Sequence, residues 1–374
     1  MVKRVFLIVL DSFGIGGASD ADKFGDEGSN TLKSVYTSTE VSAKNLTQLG
    51  LFNIDGIDFG KKCSHPIGSY ARAVEVSAGK DSTTGHWEIA GIVSKCPFPT
   101  FPNGFPDDLI KKLESAWGRE IIVNKPYSGT QVIEDYGQEH LKTGKIIVYT
   151  SGDSVLQVAC HEKVASLEEL YDMCKVARDI CTGEYAVGRV IARPFVGEYP
   201  NFIRTHNRLD FSLNPPKKTY LNKLQDNGMV VIGVGKINAL FNGSGINESI
   251  VTHSDVEGME KTIELTKRDF NGLCFVNLVD FDTEFGHRND IDGYAKNLKN
   301  IDNYIGRLIE SLNEDDMLII TADHGCDPAT PSTDHSRENV PVLIYQKNIA
   351  SRNLKTLSSF SEMGKIAYNA LIGE

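Results

Sequence analysis

The sequence predicts a three-layer α/β fold, a mostly parallel sheet between helices, with a smaller α/β domain inserted into it. Three observations carry the prediction. Six short runs are apolar on both faces: VFLIVL (5–10), KIIVYT (145–150), MVVIGVG (229–235), LCFVNLV (273–279), MLIIT (317–321) and VPVLIY (340–345). Strands covered on both sides read this way, whereas half-exposed strands alternate. Helical patterns lie between these runs, and alternation of the two element types implies layers. Finally, composition shifts twice, at CPFPTFPNGFP (96–106) and near PNFIRTHNRLDFSLNPP (200–216). There the chain would enter and leave an inserted domain. The expected boundaries are 1–97 with 213–374 for the core domain and 98–212 for the insert.

Each helix has its own warrant. In 292–312, Tyr294, Leu298, Ile301, Ile305, Leu308 and Leu312 recur at three- and four-residue steps, which is one apolar stripe. SLEELYDMCKVARDI opens with Ser166 and Glu169, a capping-box pair. FPDDLIKKLESAW sets Pro106 and two acids at a helix start, where a missing N–H costs nothing and negative charge is welcome.

Bulk properties narrow the function. A chain of 374 residues can bury a large core. The formal net charge of −11 gives no footprint for nucleic acid or an anionic membrane. An anionic substrate would need local help from metals or a few placed Arg and Lys. Seven scattered cysteines without a C-x-x-C pair suggest neither a disulfide framework nor a thiolate zinc site. The apolar run at 5–10 is shorter than a signal-peptide core and far short of the roughly 20 residues that span a bilayer. The expectation is a cytoplasmic monomer acting on a small molecule, with neither nucleic acid nor membrane as partner.

Three apolar runs end alike. VFLIVL runs into Asp11. LCFVNLV runs into Asp280-Phe281-Asp282, with His287 five residues beyond Asp282. MLIIT runs through Ala322 into Asp323-His324-Gly325, and His335 follows in STDHSREN. A lone strand-end Asp usually caps a helix or forms a turn, and a lone His such as His140 or His253 needs no role. Here three strands deliver acids and imidazoles to the sheet edge where α/β folds collect ligands. Six such groups suffice for two divalent ions, three ligands each. The mixture suits Mn²⁺ or Zn²⁺ better than Ca²⁺, which prefers oxygen alone. Two ions about 4 Å apart form the arrangement that clamps a phosphoryl group.

The stretch AGKDSTTGHWEIAG (78–91) has neither helical nor strand periodicity. It sets Lys80 and Asp81 before three hydroxyls, Ser82, Thr83 and Thr84. A hydroxyl between metal ions ionises at neutral pH. TTGHWEIAG also looks like the start of a helix, whose N-terminus receives phosphate. The stretch is a candidate covalent phosphoryl acceptor.

Taken together, LDSFGIGGASDA (10–21), GKDSTTGHWEIAG (79–91), VYTSGDSVLQVACHE (148–162), GRVIARPF (188–195), NLVDFDTEFGHR (277–288) and TADHGCDPATPSTDHSRE (321–338) resemble the bacterial phosphopentomutase family of the alkaline phosphatase superfamily. TADHG marks only the superfamily; GKD-x-x-x-GHWE with VDFD-x-x-FGHR is far more specific. The resemblance implies an alkaline-phosphatase-like core with an inserted cap, and interconversion of ribose 1-phosphate with ribose 5-phosphate and of the 2-deoxyribose pair. It makes Asp11, Asp282, His287, Asp323, His324 and His335 metal ligands, usually for two Mn²⁺, and puts Asp153 near the bound sugar. Arg189, Arg193, Arg204 and Lys236 become candidate anchors for the distal phosphate. Lys80 would stabilise the transferring group, and a bisphosphate such as glucose 1,6-bisphosphate would prime the enzyme.

One position departs from the family. Thr usually follows GKD, and here Ser82 stands there, with Thr83 next. Serine lacks the methyl that restricts χ1, so its oxygen is less firmly aimed. Ser82 is the expected nucleophile and Thr83 the reserve. Competing readings are a phosphoglycerate mutase of the cofactor-independent type, a plain phosphatase, or a binding protein with broken ligands. All six ligand positions are intact.

Overall fold

The computed structural model describes residues 2–152 and 154–373. Among them fourteen strands occur: β1 Arg4–Leu10, β2 Ser69–Ala73, β3 Ile121–Pro126, β4 Ile146–Thr150, β5 Val155–His161, β6 Arg189–Glu198, β7 Asn201–Arg204, β8 Leu209–Ser212, β9 Val230–Val234, β10 Glu248–Ile250, β11 Gly272–Leu278, β12 Asp316–Thr321, β13 Val340–Gln346 and β14 Asn353–Leu357. They fall into two compact units, Met1–Pro97 with Pro215–Glu374 and Phe98–Asn214. The second unit ends two residues beyond position 212. β8 pairs with β6, and Leu213 N donates to Gly188 O, which ties that stretch to the insert.

The larger unit holds an eight-stranded sheet in the order β10-β9-β11-β1-β12-β13-β2-β14. From β10 to β12 all pairings are parallel. Every residue of β1 and of β11 is buried, as their unbroken apolar runs require. The run at 340–345 differs: β13 pairs antiparallel with both β12 and β2. A parallel return needs a helical crossover, and the connection 322–339 contains no helix because it carries site residues instead.

Alternation along β11 creates the layers. Leu273 and Phe275 line a small apolar cavity with Ile89, Tyr220, Leu224 and Ala367. Leu278 points the other way, its Cδ2 filling the space beside Gly258. One face therefore carries the helices Ser82–Ile89, Tyr220–Asp226 and Ser361–Ile372, and the other Asp255–Leu265. The helix Ile291–Ser311 packs on Asp255–Leu265 and buries Tyr294, Leu298, Ile301, Ile305 and Leu308, the apolar stripe of its sequence. No helix among the described residues is long and apolar enough to cross a membrane.

The smaller unit has the sheet order β3-β4-β5-β6-β7, with β8 against β6. Ile146, Val148, Leu156, Val158, Val190 and Ala192 pack on one side, and the odd-numbered Ile147, Tyr149, Ala159 and Phe195 on the other. Ser166 and Glu169 form the capping box of helix Leu167–Ile180, and Pro106 stands at the N-cap position of helix Asp107–Trp117 without a side-chain cap. His140 is structural here: its Nε2 accepts from His161 N at 2.8 Å, and its Nδ1 meets Lys145 O at 2.5 Å.

At the start of β1 and β12, Arg4 and Asp316 form a buried fork, Nε to Oδ1 and Nη2 to Oδ2, both 2.7 Å. Arg4 Nη1 also donates to the carbonyls of Thr266 and Arg268. Removing one partner strands a buried charge, which costs about 3–5 kcal/mol, whereas an apolar pair of similar size costs far less. Asp316→Ala should therefore lose about that much in urea unfolding, and the double variant R4M/D316L should recover part of it. Equal losses in the two would show that the charges are not the cause.

Candidate metal centre and nucleophile

Sheet register assembles the centre. Leu10 pairs with Leu278 and Val9 with Thr321, so β1, β11 and β12 end level. Asp11 N continues the ladder to Leu278 O at 3.1 Å. Asp282 and His287 follow β11 on two short helical turns, Phe281–Phe285 and Gly286–Arg288. Asp323 and His324 follow β12 directly. Gly325 and Ser336 then exchange both backbone hydrogen bonds, at 3.1 and 2.7 Å, which folds the intervening loop back and returns His335 beside His324.

The six side chains named from the strand ends lie together. His324 Nε2 is 3.3 Å from Asp11 Oδ1 and 3.3 Å from Asp323 Oδ2. Asp282 Oδ2 is 3.0 Å from His287 Nε2 and 3.8 Å from His335 Nε2. The His335 ring centroid is 4.3 Å from that of His324 and 4.7 Å from that of His287. Ligand atoms within 4.8 Å of one another join Asp11 with Asp323 and His324, and Asp282 with His324 and His335, so that His324 belongs to both donor groups; His287, with Cys326 beside it, reaches the same Asp282 carboxylate.

The residues fit divalent cations on three grounds. Asp11 Oδ1, Asp282 Oδ1 and Asp323 Oδ2 are buried without a hydrogen-bond partner, a costly state unless a cation takes the lone pairs. His324 Nδ1 meets Gly325 O at 3.0 Å and His287 Nδ1 meets Thr333 O at 2.6 Å. A backbone carbonyl on one ring nitrogen holds its N–H there and leaves Nε2 free to ligate, the usual arrangement around a metal-bound imidazole. The donor set is also carboxylate and imidazole, apt for Mn²⁺ or Zn²⁺. Cys326 Sγ stands 4.0 Å from His287 Nδ1, but on the side where that nitrogen is already occupied by Thr333.

Charges persist here because they face one another. Burial opposes ionisation throughout, yet Asp282 pushes the His287 pKa up to about 11. His324 is likewise held well above its ordinary value against burial by Asp323 and Asp11. Against the same burial, His287 and His335 hold Asp282 well below the usual carboxylate range. In the metal-free protein these two imidazoles therefore carry protons.

Ser82 opens the helix Ser82–Ile89, whose N-cap Asp81 accepts from Thr84 N at 3.1 Å and Thr84 Oγ1 at 2.6 Å. Thr84 is thus committed to the cap. Ser82 Oγ is 3.1 Å from His324 Nε2, beside the donor groups. Thr83 is one residue on, about 100° around the helix, so the two hydroxyls do not share a direction. Periodicity missed this helix because residues 83–89 are all buried, leaving no polar face to alternate with. Gly85 is required by close approach: a β-carbon there would come 2.1 Å from Asp323 O.

The remaining candidates are dispersed. Lys80 Nζ lies 3.0 Å from Asp26 and 3.3 Å from Asp334, so its charge is directed at two carboxylates. Lys236 follows β9 at the same sheet edge as Asp11, since Val234 pairs with Val276. Within the insert, Arg189, Arg193 and Arg204 share one face of the sheet by register, with Tyr149 and Gln157. Arg193 Nε donates to Gln157 Oε1 at 3.0 Å, and Arg189 Nη1 to Asp210 Oδ2 at 3.5 Å. Arg208, unremarked in the sequence, binds Asp210 through two 2.7 Å bonds. Asp153 lies outside the described residues.

Sequence reasoning also missed the groups that brace the centre. Glu338 is fully buried and accepts from Gly16 N, Thr31 N, Thr31 Oγ1 and Ser336 Oγ, joining the loop after Asp11 to the one bearing His335. Asn277 Nδ2 donates to Asp11 Oδ2 at 2.7 Å. Ser12, in the left-handed region with φ 68°, turns its N–H to Asp323 Oδ1 at 3.2 Å. The only hints of such roles were their places in the chain: Ser12 next to Asp11, Glu338 three residues after His335 and Asn277 five before Asp282.

Residues 3–371 match the Metalloenzyme superfamily. A phosphopentomutase of Lachnoclostridium phytofermentans is 56% identical over 365 residues, covering 97% of this chain and 94% of its own length. The phosphopentomutase of Acetivibrio thermocellus is 54% identical over 366 residues, covering 97% and 94%. Among solved structures, a phosphoglycerate mutase of Leishmania mexicana shares the fold with TM-score 0.50 at 13% identity, covering 100% of this chain and 96% of that one. The fold is the α/β core with a mostly parallel sheet between helices that the sequence predicts, shared with that phosphoglycerate mutase. Similarity at this level over nearly the whole length, on a centre whose donors suit divalent metals, shows that the chain belongs to the phosphopentomutase family, isomerases within the Metalloenzyme superfamily.

Proposed function

We propose that the protein interconverts ribose 1-phosphate and ribose 5-phosphate, and the 2-deoxyribose pair, through a phosphoserine at Ser82. The observation that carries this reading is the 3.1 Å approach of Ser82 Oγ to His324 Nε2 at the junction of the two donor groups. Asp11, Asp323 and His324 would hold one Mn²⁺, and Asp282, His287 and His335 a second. When bound, the cations lower the pKa of the serine hydroxyl and offset charge on the phosphoryl group.

The chain's own groups do the rest. Asp81 fixes the first helical turn, and the N–H groups of Ser82 and Thr83, which have no partner inside the helix, face the phosphoryl oxygens. The phosphoryl group passes from Ser82 Oγ to the free hydroxyl of a pentose monophosphate. One P–O bond forms as the other breaks, and the hydroxyl proton ends on Ser82 Oγ. The resulting bisphosphate returns its other phosphoryl group to Ser82, and the isomer leaves. Such transfer rests on positioning and electrostatics. Arg189, Arg193, Arg204 and Lys236 are read as phosphate-binding cations, Asp153 as a sugar contact, and Lys80 as fixing the turn before Ser82. Glucose 1,6-bisphosphate would supply the first phosphoryl group to a cytoplasmic monomer.

Two experiments test the reading. Protein incubated with Mn²⁺, glucose 1,6-bisphosphate and ribose 1-phosphate should convert the sugar phosphate to ribose 5-phosphate by ³¹P NMR without accumulating free phosphate. Steady release of phosphate would instead make it a phosphatase. Ser82→Ala should lower turnover at least about a thousandfold and abolish the phosphopeptide, whereas a label on Thr83 would move the nucleophile. The metal reading has its own check. Protonated His287 and His324 must give up their protons to bind metal. Mn²⁺ affinity should therefore rise with pH, by up to about a hundredfold per unit for two protons released. Affinity independent of pH between 6 and 8 would contradict it.

A further inference from the structure

The GHWE segment after the nucleophile has no role in the reading above, and His86 within it is fully buried beside the centre. Its Nδ1 lies between two acceptors, Ser82 O at 2.9 Å and Asp323 Oδ2 at 3.0 Å. The first belongs to the nucleophile's own residue and the second to a metal-ligand candidate. A carbonyl oxygen only accepts, so the ring carries its hydrogen on Nδ1 and donates it to Ser82 O, with Asp323 Oδ2 in close electrostatic contact with the same nitrogen. Nε2 agrees: it is buried with no hydrogen-bond partner, and the ring packs against Phe275, centroids 5.7 Å apart. A second N–H there would be stranded in an apolar wall.

The same helix touches the Asp323–His324 pair at two further points. Ser82 Oγ meets His324 Nε2, and Gly85 packs on Asp323 O so closely that no β-carbon fits. The nucleophile-bearing turn thus has no independent register; it is set on the dipeptide that supplies two ligands. Of the three contacts, only that of His86 reaches both Ser82 and the Asp323 carboxylate from one ring nitrogen, by a hydrogen bond to Ser82 O and a 3.0 Å approach to Asp323 Oδ2.

We propose that His86 is a positioning residue that locks the Ser82 turn to the Asp323 carboxylate, so that ligand and nucleophile keep one geometry whether or not phosphate is present. The inference rests on the reading of Ser82 as nucleophile at a metal centre. Groups that orient a metal ligand from behind typically govern 10- to 100-fold in metal affinity or activity.

Two amide variants isolate the effect. In H86N the side-chain NH₂ falls where Nδ1 was; in H86Q it falls where Nε2 was, away from both acceptors. Mn²⁺ affinity is read without substrate, from the EPR signal of free Mn²⁺, alongside the thermal midpoint and the split between kcat and KM. H86N should stay within about threefold of wild type, while H86Q should lose about 10- to 100-fold in affinity for Mn²⁺. Its kcat should fall more than its KM changes. If the two variants are indistinguishable, including the case in which neither folds, or if H86Q binds Mn²⁺ normally, the proposal is overturned. Because the readout is metal binding, it separates from failure of the Ser82 assignment, which phosphopeptide mapping decides.

Discussion

Three carboxylates and three imidazoles are packed at one sheet edge, and three of the carboxylate oxygens receive no hydrogen bond from the protein. That is the constraint on which the rest of the molecule depends. Taking a carboxylate out of water costs several kcal/mol even after relaxation. A protein that gathers three of them, mostly buried, must supply positive charge at the same place. Without metal, protonated His287 and His324 provide it; with metal, the cations would, and the imidazoles would revert to neutral ligands. The cluster is thus stable enough to form during folding and still demands a cation to complete it.

Everything nearby serves the geometry of that cluster. Three parallel strands in level register fix the origins of the donor segments, which come from positions more than 300 residues apart in the chain. Asn277, Ser12 and Glu338 then remove rotational freedom: the amide holds the far oxygen of Asp11, the strained serine holds Asp323, and the buried glutamate staples the two loops together. The helix bearing Ser82 is seated on the same frame through Gly85 and His86. A serine hydroxyl is more mobile than a threonine's, and here the backbone that carries it is restrained by these contacts.

Much of this was legible before any coordinates. Unbroken apolar runs named the buried strands, and acids and imidazoles at and beyond their ends named six side chains that the fold brings together, because a buried parallel strand leaves a clear hydropathy signature and its carboxyl end is where polar residues become possible. The capping box at Ser166 was equally direct. Other features had a weak local signal or none. VPVLIY reads like the parallel strands, and only its helix-free connection makes it antiparallel. The helix at 82–89 shows only its start, in TTGHWEIAG, because residues 83–89 are all buried and form no stripe. Lys80 reads as stabilising the transferring group, and its partners Asp26 and Asp334 have no local signal, lying 54 and 254 positions away. His86 and Glu338 act on residues brought close only by the fold.

The central claim is that two cations and one serine oxygen share this edge. Anomalous diffraction from a crystal of the protein soaked in Mn²⁺ measures it directly. The account requires two manganese peaks about 4 Å apart, one among Asp11, Asp323 and His324 and the other among Asp282, His287 and His335, with Ser82 Oγ beside them. A single peak, peaks elsewhere, or two peaks with Ser82 turned away from both would contradict it.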